Sequence, residues 1–96
     1  MKAYCASFNV GNVEIWGTDL YLDKNSVYLE IKESKIEIFD RIECLSVFIT
    51  KKEFNTVWKE AVSDIKKYGN YENKINQFDF FILEQSIQKN ERCNIG

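Results

Sequence analysis

Few side chains in this sequence could do covalent or acid–base chemistry, and their types and spacing narrow what that chemistry would be. The 96 residues contain no His, so there is no imidazole base, no Ser-His triad and no imidazole metal ligand. Cys44 lacks a base to activate it, and within an apolar run it reads as a small buried hydrophobe rather than a nucleophile. Cys5, Cys44 and Cys93 are odd in number and widely spaced. They form no C-x-x-C pair, which excludes a zinc ribbon or a dithiol redox motif, and they are too few for a disulfide-stapled secreted domain. Asp19 and Asp23 stand four residues apart, and paired carboxylates can act as acid and base. With Asn25 they also offer oxygen ligands, but without the spacing of a calcium loop. Turn capping and a solvated edge account for them more simply. No Gly-rich phosphate loop is present. These residues predict a protein that is not an enzyme and that carries no metal or cofactor.

Binding is then the function left to consider, and the chain is rich in residues for it. Aromatic residues make up 15% of the sequence. In the first half, apolar and polar residues alternate with period two. This predicts a four-stranded antiparallel meander over residues 2–39, with a fifth strand from Ile42 to Ile49. Tyr4, Ala6, Phe8 and Val10 share one face of the first strand; Cys5, Ser7 and Asn9 share the other. Gly11-Asn12 is a two-residue hairpin turn, since both residues tolerate positive φ. Val13 and Ile15 then face inward at odd positions, whereas Leu20 and Leu22 do so at even ones. A bulge at Gly17 would absorb the extra residue. Asp23-Lys24-Asn25-Ser26 and Lys32-Glu33-Ser34-Lys35 read as four-residue turns.

That register places Glu14, Trp16, Asp19, Tyr21, Tyr28, Glu30, Lys32, Glu37 and Phe39 on the outer face of the sheet. The result is an aromatic patch with an acidic rim, the kind of surface enriched at protein interfaces. Tyr21 would sit opposite Tyr28. Glu30 would sit opposite Glu37, a like-charge pair that costs stability. If this face is instead covered, the Lys59, Lys66 and Lys67 side of the following helix is the next candidate surface.

That helix begins at a capping box, Thr50-Lys51-Lys52-Glu53. Phe54, Val57, Trp58, Ala61, Val62, Ile65 and Tyr68 form one apolar stripe, and Gly69 supplies the stop. The stripe should pack on the inner face of the meander. Residues 71–90 fit strand-then-helix or a single helix equally well. Phe78, Phe80 and Ile82 suit a strand, and Glu84 to Asn90 suits a helix. Residues 91–96 read as a frayed tail after a single α+β domain spanning residues 1–90.

Charge and composition bound the partners. A net charge of −2 gives no electrostatic reason to bind phosphate backbones, so direct nucleic-acid binding is not expected. No apolar run is long enough for a membrane span. The first residues lack a signal core, so a cytoplasmic location is expected. Residues of AT-rich codons (Phe, Tyr, Met, Ile, Asn, Lys) make up close to half of the chain, which suggests a low-GC bacterium or one of its phages. Small size, this composition and the lack of catalytic groups are shared by many phage-encoded inhibitors and bacterial immunity proteins. The expected function is a protein-binding inhibitor that occludes a larger bacterial effector, such as a nuclease or defence protein. The alternatives are a toxin-immunity protein, a small-ligand protein that stacks a nucleotide base on Trp16, Tyr21 or Tyr28, and a homodimer formed through the aromatic face.

Overall fold

The computed structural model describes residues 1–45 and 49–86. It is an α+β fold: β1 (Lys2–Val10), β2 (Val13–Gly17), α1 (Lys24–Glu33), α2 (Lys35–Cys44), α3 (Lys51–Tyr68), β3 (Asn70–Asn73) and β4 (Phe78–Ser86). The strands form one antiparallel sheet in the order β2-β1-β4-β3. The two chain-terminal regions therefore meet at its centre. β4 pairs with β1 along its whole length, from Lys2 opposite Ser86 to Val10 opposite Phe78.

The predicted N-terminal hairpin is present. Gly11 turns with φ of +63° and Val10 pairs with Val13. The bulge, however, lies at Ile15 rather than at Gly17. Phe8 pairs with Trp16 and Asn9 with Glu14, so Ile15 is the extra residue. Its carbonyl, freed from the ladder, accepts a hydrogen bond from Arg41 Nη1 of α2 at 2.8 Å. Displacing the bulge by two residues turns Trp16 to the same side as Phe8, where it is buried at 3% exposure. Gly17 has no positive φ among the described residues, so the reason to expect a special backbone there is gone.

The third and fourth strands of the predicted meander, at residues 27–31 and 36–39, are not strands: α1 and α2 occupy this region, and the second strand ends at Gly17. Val27, Ile31, Ser34, Ile38 and Ile42 are all buried, and their spacing of three or four residues is a helical stripe. Leu29 and Ile36, which had completed the alternating pattern, are exposed. Asp23 is an N-cap, not a turn residue, and its Oδ1 accepts from the Ser26 backbone N–H at 2.9 Å. Ser34 joins the helices: its backbone N–H donates to the Ile31 carbonyl at 3.1 Å and its hydroxyl to the Glu30 carbonyl at 2.8 Å. The start of the expected fifth strand, Ile42–Cys44, is the last turn of α2; residues 46–48 lie outside the described part. Cys44 is exposed at the end of α2, contrary to its expected burial.

α3 follows the sequence closely. Glu53 N–H donates to Thr50 Oγ1 at 3.0 Å and Thr50 N–H to Glu53 Oε1 at 2.9 Å, and Gly69 closes the helix at φ of +81°. These bonds to Thr50 hold the Glu53 carboxyl below its ordinary pKa of 4.5. Such a group adds stability above the unfolded-state value, and this is lost as pH falls through the lowered folded value. Thermal unfolding of the native chain and a Glu53→Gln variant should therefore differ most at neutral pH and converge below pH 4.5. A gap that does not change with pH would contradict this cap account.

The C-terminal region is a hairpin, with Gln77 at φ of +60° in its loop. Glu84–Ser86, read as helix-friendly, belong to β4; residues 87–96, including the predicted tail, lie outside the described part. The helices pack on one face of the sheet, where Phe80 is the hub of an aromatic core. Its ring lies 4.9 Å from Phe8, 6.1 Å edge-on from Trp16 and 6.0 Å from Trp58. No helix among the described residues is long and apolar enough to cross a membrane.

Candidate interaction surface

The nine residues expected to form one outer sheet face are distributed over β2, the β2–α1 segment, α1 and α2. Trp16 is core. Phe39, on α2, stacks against Phe54 at 4.9 Å between ring centroids, and Tyr28 is half-buried on α1. Tyr21 forms an isolated bridge to Tyr4, with backbone bonds of 2.7 and 2.8 Å. Its hydroxyl donates to Glu30, and that carboxylate holds the Tyr21 pKa above 10. Glu37 is paired with Arg41 one helical turn on, so it does not oppose Glu30. Asp19 is exposed beside the sheet edge. Only Tyr21 and Glu30 are brought together, and only Glu14 reaches the sheet face that is left open.

That face is the one opposite the helices, open in the sense that no helix among the described residues packs on it. Alternation along β1 and β4 sends Tyr4, Ala6, Phe8, Phe78, Phe80 and Ile82 to the helices and Ala3, Cys5, Ser7, Asp79, Phe81 and Leu83 away from them. All of the first set belong to the core cluster or pack on it, and none of the second set does. Cys5 stands opposite Leu83, and Ser7 opposite Phe81. Leu83 is 44% exposed. Leu20 and Leu22, which flank Tyr21, are exposed at 50% and 64%.

Next to this apolar area is a transverse acidic row. Glu14, Asn9, Asp79 and Glu72 are consecutive cross-strand neighbours over all four strands. The Glu14 carboxylate lies over Gly17, so that a Cβ at position 17 would sit 2.7 Å from its Oε2. Asp79 directly opposite Glu72 is a like-charge pair that weakens the sheet. Among the described residues, no group of three His, Cys, Asp or Glu side chains is arranged to hold a metal ion. The row thus acts as a fixed negative field at the border of an apolar patch. This face carries apolar groups with acids alongside, but apart from Glu14 they are not the residues that the alternating register singled out. Phe81, Leu83, Glu72 and Asp79 were missed because the chain beyond Tyr71 could be read as helix. A strand reading would have put Phe81 and Leu83 opposite Phe80 by alternation alone.

No family model matches this chain, and neither a curated protein nor a solved structure matches it.

Proposed function

We propose that this chain is a small non-enzymatic binding protein of the inhibitor type, which lays the open face of its sheet against a larger protein and occludes it. The partner chemistry that fits is an apolar patch bordered by Lys or Arg, and the AT-rich composition favours a bacterial effector such as a nuclease or defence protein. The observation that carries the reading is the sheet face on which no helix packs among the described residues, with Leu83 exposed toward one end and Glu14, Asp79 and Glu72 across the other. Contiguous apolar surface rimmed by polar groups is typical of interaction sites. A like-charge pair kept at its border suits recognition better than folding, because complementary charge steers encounter and rejects wrong partners.

The test is capture from a bacterial lysate by the immobilised native chain, in parallel with a Leu83→Asp variant that unfolds at the same temperature. The expected result is one stoichiometric protein held by the native chain and lost by the variant. Equal retention by both would overturn the reading. A chain that sediments as a dimer and dissociates on Leu83→Asp would assign the face to self-association instead.

A further inference from the structure

The start of α1 and the end of α3 meet beside β1, on the helix side of the molecule and away from the open sheet face. A cavity of about 300 Å³ lies there, lined by Lys24, Lys66 and Lys67 together with Tyr4, Tyr28 and Tyr68. Among the described residues none of these lysines makes a salt bridge. Glu84 also borders the cavity, but it is paired with Lys2 at 3.1 Å. Three lysines therefore border a space whose one lining carboxylate is already paired. Lys66 and Lys67 have an ordinary explanation, since cations are favoured in the last turn of a helix. Lys24 opens α1 directly after the Asp23 N-cap, at a helix end where a cation is otherwise unfavourable. Its ammonium lies 5.4 Å from the centroid of the Tyr4 ring, which also lines the cavity. Tyr28 and Lys66 also border a second groove of about 300 Å³, lined further by Lys32, Leu29 and Val62.

We infer that this cavity binds a nucleotide, with Lys24, Lys66 and Lys67 on its phosphates and Tyr28 or Tyr68 against its base. Clustered lysines supply point charges suited to a compact polyanion. Aromatic faces accept any base by stacking. The volume of about 300 Å³ lies at the lower end of the range usual for small-ligand sites. This site is independent of the proposed protein-binding face, so either can fail without the other.

The test is a titration of the full chain with ADP, followed by backbone amide shifts, with pyrophosphate and adenosine as separate probes. ADP is expected to give saturable shifts confined to residues 24–28 and 66–69, and to bind more tightly than either probe alone. Lys24→Ala and the double variant Lys66→Ala, Lys67→Ala should each weaken ADP at least tenfold without changing the unfolding temperature, because all three side chains are exposed. Raised salt should weaken it further. No saturable shift at about 5 mM ADP, where even millimolar affinity would register, would overturn the inference. Binding that the lysine variants leave intact would also overturn it, as would pyrophosphate binding as tightly as ADP.

Discussion

Replacing Trp16 by alanine should cost about 3–5 kcal/mol, the range for truncating a large aromatic residue in a core. A small domain has only about 5–15 kcal/mol in total, so the variant should be largely unfolded at physiological temperature. The expectation follows from the bulge at Ile15, which turns the indole under the helices, at 3% exposure and edge-on to Phe80. Denaturant unfolding of the native chain and the variant measures the difference. A loss below about 1 kcal/mol, as for an exposed residue, would mean that Trp16 faces outward as the unbroken alternation of the sequence implies. Trp58, 7% exposed and 6.0 Å from Phe80, should behave like Trp16.

The second large effect is expected on binding rather than on folding. Leu22 and Leu83 are about half exposed or more and stand outside the core cluster. Leu22→Ala and Leu83→Ala should each change stability by no more than about 0.5 kcal/mol. If the open sheet face is the interface, the double variant should lose about 2 kcal/mol of affinity for the captured partner, or about 30-fold, as central anchors do. Glu72→Lys and Asp79→Lys should act differently. Charges at a rim govern encounter, so these changes should slow association and alter its dependence on salt, while relief of the like-charge pair leaves the fold at least as stable. An aromatic core change that unfolds the protein and an aliphatic surface change that spares it would separate the two faces of one sheet.

Which parts of this architecture could be read from the residues follows from how local their causes are. The capping box, the apolar stripe of α3 from Phe54 to Ile65 and Gly69 are set by neighbours within a few positions and are present, whereas Tyr68, expected to end the stripe, is exposed. The Gly11-Asn12 hairpin is equally local. Residues 20–39 are another matter, because Leu20, Leu22, Val27, Leu29, Ile31, Ile36 and Ile38 satisfy both periods in part. Val27, Ile31, Ile38 and Ile42 extend the helical stripe that wins, and Leu29 and Ile36 are left in solvent. Two local signs favoured helix: Asp23 three residues before Ser26, which it caps, and a run of Lys, Glu, Leu and Ile with good helix propensity. The open face was not local at all. It depends on β4 inserting between β1 and β3, a pairing between chain ends that no short window contains.

The interaction surface can be tested at single positions. With p-benzoylphenylalanine placed at position 83 on the open face or at position 59 on the exposed side of α3, each chain is irradiated in a bacterial lysate and its adducts are resolved by mass. The account predicts one covalent adduct of defined mass from position 83 and none from position 59. Adducts from position 59 with none from position 83 would contradict it and move the interface to the helical side of the molecule.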